Sequence, residues 1–292
     1  MPAFDRDKTR LTNLNAGGRI ARGWVNDTGV HASNPVIYSS AALAIFPTRN
    51  ADKFVARYDV DPATGALTER VAFRNIGLNR ISNGLSVIPA GGTTYAISNF
   101  EARTAPHFSL ASFDPQTLAA TEIGTDFESG LHSIGGVYIN GIIYAFSVDR
   151  IGISTNQDWL SYRINPTTGA WTRIRRVTIS RAPYGGSGIG GTELNGVAYF
   201  VLEENSTIGG PGSRLRLYSM STANGVMTRI GPGVAINAGL GVGMATLNSD
   251  LYCAFVFTTG VQIYRVTTAG VFTAVGPENE LTGINGLGMA VV

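Results

Sequence analysis

Few residues in this chain have the type and spacing to do chemistry, and the carboxylates are the first to weigh. Hydrolysis by general acid and base needs two of them, one giving a proton and one taking a proton or attacking. Glu101, Asp126, Glu128, Glu203, Glu204, Glu278 and Glu280 all fall at the ends of apolar segments or between them, where an acid is ordinarily a solvated loop residue. His31, His107 and His132 are far apart and share no metal-ligand spacing. Cys253 is the single cysteine, set in the apolar run YCAFV where a thiol packs rather than reacts. Residues 186–191, GSGIGG, match a dinucleotide fingerprint in letters only, because a strand pattern rather than a helix follows them. No serine sits in a nucleophile elbow. The expectation is no metal, no cofactor and no catalytic residue.

These residues are carried by an internal repeat. A strand ending in an aromatic, a turn and a second strand recur as FVARYDVDPATGALTERV (54–71), FSLASFDPQTLAATEIG (108–124) and WLSYRINPTTGAWTRI (159–174). The unit returns at 214–230 and 261–276, and its anchors Tyr58, Phe113, Tyr162, Tyr218 and Tyr264 stand roughly 50 residues apart. Asp-Pro-Ala-Thr-Gly at 61–65 and Asn-Pro-Thr-Thr-Gly at 165–169 are turns with a mechanism: proline presets φ, Asp or Asn bonds the turn backbone, and glycine accepts positive φ. A glycine-rich strand, a tight turn such as Asn140-Gly141 or Asn195-Gly196, and an aromatic strand alternate with this unit. Each period thus holds four strands and no helix.

The two ends complete the pattern. INGLGMAVV (284–292) is a glycine-rich strand with nothing after it, and SSAALAIFPT (39–48) is an aromatic strand with no such strand ahead of it. Pairing them closes a ring and removes both free edges. The chain therefore resembles an all-β, five-bladed β-propeller of four-stranded blades, closed by the C-terminal strand joining the N-terminal blade. The domain occupies 35–292, behind an arm of 1–34. The glycine-rich strands are expected innermost, with Ser86, Gly135, Gly190, Gly243 and Gly288 facing a crowded axis.

Charge and composition narrow the function. Charged residues make up 14% of the chain and the net charge is +2, which speaks against a nucleic-acid partner. No apolar run is long enough to span a bilayer, and the opening MPAFDRDKTR lacks an apolar signal core. The expectation is synthesis in the cytosol without a signal peptide, no membrane insertion, and a place in a virion. Five basic residues of the arm, among them Arg6, Arg10, Arg19 and Arg22, outweigh its three acids and with Trp24 suit docking on other protein subunits. Connections at one end of the propeller gather Asn83, Phe100, Glu101, His132, Trp159, Tyr184, Asn237 and Asn285 into a face for a partner or a glycan. Arg173, Arg175, Arg176 and Arg181 crowd one outer strand, where charge guards a sheet edge.

The leading expectation is thus a non-enzymatic interaction or structural module of a larger assembly, such as a bacteriophage virion. A glycan-binding lectin or host-recognition module comes second; the chain is similar to tachylectin-type propellers in fold, but its loops differ between blades. Third is a glycoside hydrolase of the five-bladed kind, a resemblance that implies acidic residues on the inner strands, where this sequence has only Glu193.

Overall fold

A computed structural model describes residues 41–49, 54–76, 85–102, 105–127, 131–150, 156–179, 188–204, 213–237 and 239–292. They form strands and turns, with no helix among the described residues. Strands β1 (Leu43–Arg49), β2 (Phe54–Val60) and β3 (Leu67–Asn75) belong to blade 1. Strands β4 (Leu85–Ala90), β5 (Thr93–Ala102), β6 (Ala105–Phe113) and β7 (Ala120–Phe127) make blade 2. Blade 3 is β8 (Leu131–Ile139), β9 (Ile142–Arg150), β10 (Gln157–Ile164) and β11 (Trp171–Ile179). Blade 4 is β12 (Gly190–Leu194), β13 (Val197–Glu204), β14 (Arg214–Met220) and β15 (Met227–Ala235). Blade 5 holds β16 (Gly241–Leu247), β17 (Asp250–Val256), β18 (Gly260–Val266), the short β19 (Phe272–Ala274) and β20 (Asn279–Glu280), which pairs with β18. The last strand, β21 (Ile284–Val291), returns to blade 1 in the order β21-β1-β2-β3. Its register runs antiparallel from Leu43 opposite Val291 to Phe46 opposite Gly288, so the ring is closed as the two unpaired termini require.

The hydrophobic residues are buried between blades. Five separate clusters fill the five gaps, and each repeat aromatic packs backward onto the preceding blade: Tyr58 against blade 5, Phe113 against blade 1, Tyr162, Tyr218 and Tyr264 likewise. Phe46, Phe108, Phe146, Phe200 and Phe255 are wholly buried in these layers.

The small residues of the inner strands face a different way from the sequence expectation. Side chains of a radial sheet point at the neighbouring blades, and only the backbone edge of its first strand faces the axis. A Cβ on Gly135 would lie 2.8 Å from the Ile189 carbonyl oxygen in the next inner strand, and one on Gly190 would meet Met244 N at 2.8 Å. Gly243 abuts Met289 N at 2.8 Å, and Gly288 abuts the Leu85 carbonyl oxygen at 2.6 Å. The fifth member, Ser86, closes the circuit by accepting a hydrogen bond from the Gly136 N–H (2.9 Å). The constraint at these positions is thus the approach of strand to strand, and not room in the channel.

A second ring runs around the outside. The turn between third and fourth strands of each blade docks on the blade before it. Asn279 Nδ2 donates to the Gly65 carbonyl (3.0 Å), Arg57 reaches the Pro115 carbonyl (3.3 Å) and the Gln116 side chain, and Gly169 lies against Gly124. Ser161 Oγ donates to the Gly225 carbonyl (2.8 Å), and the Gly233 N–H donates to the Gly270 carbonyl (3.3 Å). The turns share one geometry: the fifth residue's N–H returns to the first residue's carbonyl in 61–65, 114–118, 165–169 and 221–225. Blade 2 places Leu118 rather than glycine at the left-handed position (φ 58°), and burial of its side chain offsets the strain. Asp61 and Asp114 accept turn N–H and threonine hydroxyl bonds, which hold both carboxyls below the usual carboxylate range.

Two outcomes follow from the rings. Deleting 284–292 removes the inner strand of blade 1, so the truncated chain should lose its cooperative melting transition; a transition at the full-length temperature would refute closure through β21. Gly190→Val and Gly243→Val should each lower stability by about 1–3 kcal/mol or more, because the neighbour to be displaced is backbone. Urea midpoints measure this, and midpoints equal to wild type would show that the strands can separate freely.

Candidate functional site

The propeller has two ends. Tight turns gather at one, where Asn140-Gly141, Asn195-Gly196 and Asn248-Ser249 all take positive φ. Crossovers between second and third strands, and between blades, gather at the other.

At the turn end the five inner strands enclose an axial cavity of about 220 Å³. Tyr138, Thr192, Glu193 and Thr246 form a polar side, and Ile88, Pro89 and Val291 an apolar one. The hydroxyls are committed: Thr192 Oγ1 lies 3.0 Å from Thr246 Oγ1, which donates to the Glu193 carbonyl (2.7 Å). Glu193 Oε1 caps the Gly196 N–H of its own hairpin. Glu193 is the only acid on the described inner strands, as the sequence indicates, and its carboxylate serves a turn.

The crossover end concentrates acids on second strands instead. β5 carries Glu101 near its end, β9 carries Asp149, and β13 ends in Glu203 and Glu204; counted from the tight turn, Glu204 is level with Asp149, Glu203 falls one residue short of it and Glu101 one beyond. Glu203 is 1% exposed, which overturns its reading as a solvated loop acid. Its neighbours in β13, Val201 and Leu202, are buried too. Burial pushes the Glu203 carboxyl above its ordinary range, partly offset by the Ser213 hydroxyl and the Gly239 N–H. Glu204 is held differently, by Arg216 (3.2 Å), Arg229 (3.7 Å) and the Tyr218 hydroxyl. Burial, then Glu204, drives that phenol's pKa upward. Glu203 and Glu193 cannot act as a pair. Glu193 lies opposite Ala198, five residues before Glu203 along β13, or roughly 17 Å at the strand rise. A hydrolytic pair stands about 5–9.5 Å apart.

The remaining sequence candidates scatter. Asn83 and Tyr184 fall outside the described residues, as do Arg181 and the whole arm with Arg6, Arg10, Arg19, Arg22 and Trp24. The backbone puts Phe100 opposite His107 and Glu101 opposite Pro106, and His132 in the irregular step between Leu131 and Ser133. Asn237 is exposed just before β16, and Asn285 is half-buried at the start of the adjoining β21, so these two share the crossover end. Trp159 does not join them. It lies in β10 between blades 3 and 4, edge-on to Phe146 (5.3 Å) and Tyr218 (5.5 Å), because its place in the strand aims it at the next blade. Cys253 is fully buried and its thiol pKa is driven up by burial. No cluster of metal-ligating side chains exists among the described residues.

No family model matches the sequence, and no curated protein matches it. Solved structures do share the fold. A GH32 beta-fructofuranosidase of Bombyx mori aligns at 8% identity and TM-score 0.51, covering 82% of this chain and 65% of that one. This chain therefore spans just under two thirds of that enzyme. A GH43_1 enzyme of Xanthomonas citri, complexed with xylose, gives 9% identity, TM-score 0.48 and coverage of 66% and 72%. An alpha-L-arabinanase of Penicillium chrysogenum, complexed with arabinobiose, gives 11%, 0.46, 82% and 71%. The likeness is one of fold, a five-bladed propeller. It also corrects the functional expectation: the beta-fructofuranosidase that shares the fold is an enzyme, so the leading reading as a non-enzymatic assembly module gives way, and so does the expectation of no catalysis.

The buried glutamate sets a pH signature. A carboxyl whose folded pKa is raised favours folding fully below its unfolded pKa, and that contribution is lost as pH rises through the folded value. Glu203→Gln removes the loss, so the melting temperature of the variant relative to wild type should climb between acid and neutral pH. A difference that stays flat across that window would show Glu203 ionised without penalty.

Proposed function

We propose that this chain is a carbohydrate-active propeller enzyme, a glycoside hydrolase working from its crossover end. The observation that carries the reading is Glu203: a carboxyl enclosed by the fold, its pKa raised, at the end of the propeller where neighbouring second strands also finish in acids. Burial that raises a carboxyl's pKa favours its protonated form, the form that can give a proton to a glycosidic oxygen. In this reading Glu203 is the proton donor. The partner, as base or nucleophile, is sought at Asp149 of β9 or Glu101 of β5. The carboxylates thus stand on second strands and not on the inner strands that the resemblance to hydrolase propellers implied.

A panel of chromogenic arabinosides, xylosides and fructosides supplies the test. Wild type should release the chromophore from at least one, with a rate that falls on the alkaline side as the acid ionises. Glu203→Gln should cost roughly 10²–10⁴-fold in kcat while its melting temperature at acid pH stays near wild type. Absence of turnover across the panel and on natural arabinan, xylan and fructan, or full activity in Glu203→Gln, would overturn the proposal.

A further inference from the structure

The outer strands of the blades differ sharply in charge. Across the described stretches 156–179 and 213–237 there are seven arginines and no lysine, and the one acid, Asp158, is wholly buried with Arg176 and Thr178 on its oxygens. Arg173, Arg175, Arg176, Arg214 and Arg229 are exposed there. Blade 2 is the opposite: 105–127 carries Asp114, Glu122 and Asp126 and neither lysine nor arginine. An edge guard requires charge of any sign, so guarding alone does not account for one rim being wholly basic.

A groove opens within this basic rim. Between blades 3 and 4 a cavity of about 150 Å³ is walled by Trp159, Val177, Ile179, Val226 and Met227, with Arg175 at its lip. Phe146 backs Trp159. The equivalent gap between blades 2 and 3 contains Trp171, which packs edge-on to Tyr162 at 5.7 Å. One donor at the groove is uncommitted: the Arg175 guanidinium at its lip has no ion-pair partner among the described residues, while the Trp159 indole N–H is buried with no acceptor. Ser161, by contrast, spends its hydroxyl on Gly225.

We propose that this groove is a subsite for an acidic polysaccharide. The indole and its aliphatic neighbours take the apolar C–H face of a sugar ring, and Arg175 takes the carboxylate of a uronic acid residue in a charge-assisted pair. Arg214 and Arg173 extend the field that attracts the following carboxylates along the polymer. A neutral glycan would leave the arginines unused, and a plain polyanion would leave the apolar wall unused. The inference deepens the proposed function and rests on it for the word substrate, since it names acidic glycans as the class on which that activity works. The site itself is tested by binding alone.

The probe is sodium polygalacturonate, with neutral arabinan and polyglutamate as controls, measured by calorimetry and by Trp fluorescence. Polygalacturonate should bind, with affinity falling as salt rises, while arabinan and polyglutamate bind at least roughly tenfold more weakly. Arg175→Gln should weaken polygalacturonate binding by roughly tenfold or more, the range expected of a charged hydrogen bond. Trp159→Phe, chosen to keep the aromatic packing, should lose affinity while its melting temperature stays close to wild type. Equal binding of polyglutamate would reduce the groove to a charged patch and overturn the proposal, as would unchanged affinity in Arg175→Gln or no binding at all. Binding without turnover of any glycoside would sink the hydrolase reading and leave the subsite standing.

Discussion

The structure depends on how closely five inner strands approach one another. Gly135, Gly190, Gly243 and Gly288 each give up a side chain so that the next strand's backbone can lie where a Cβ would be, and Ser86 replaces that contact with a hydrogen bond. Each contact is with a neighbour, so the chain of contacts must return on itself. It does so only because β21 supplies the fifth strand from the far end of the sequence. Closure and tight packing are therefore one requirement. A ring missing a strand would expose two inter-blade layers at once, those built around Leu287 and Met289 and around Ala290.

The outer ring of docked turns is the counterpart of the inner one. Its contacts are local, made by different residues in each gap: Asn279, Arg57 and Ser161, and backbone alone at Gly124 and Gly233. What repeats is the turn backbone, which offers carbonyls in fixed directions. Substituting one donor for another preserves the docking. This tolerance lets the outer strands diverge in charge, from the acidic rim of blade 2 to the basic rim of blades 3 and 4, without altering blade geometry.

Side chains free of the two rings lie on the parts that the rings leave unconstrained. Inner strands have their side chains committed to neighbouring blades, so they offer few positions for catalytic groups, and their one acid caps a hairpin. Second strands have a free end at the crossovers. Glu203 shows what that end can provide, a carboxyl enclosed by the fold yet beside the connection to the next blade, near Gly239. Its proton affinity is a property of this enclosure and has no counterpart at Glu193.

The number of blades, the strand order and the closing pair were legible in the sequence, because each is written in local signals. Turn residues at 61–65 and 165–169, the repeating anchors from Tyr58 to Tyr264 and the incomplete units at both ends act over a few residues each, and local chemistry is legible residue by residue. Direction was left to the tertiary structure. Whether Gly190 faces the axis or a neighbour, whether Glu203 is solvated or enclosed, and whether Trp159 joins the crossovers or a groove between blades all depend on how one blade is rotated against the next. That rotation is set by packing between segments roughly 50 residues apart, and no window of sequence contains both partners. The basic rim belongs to the same class, since Arg175 and Arg214 become neighbours in charge only when blades 3 and 4 stand side by side.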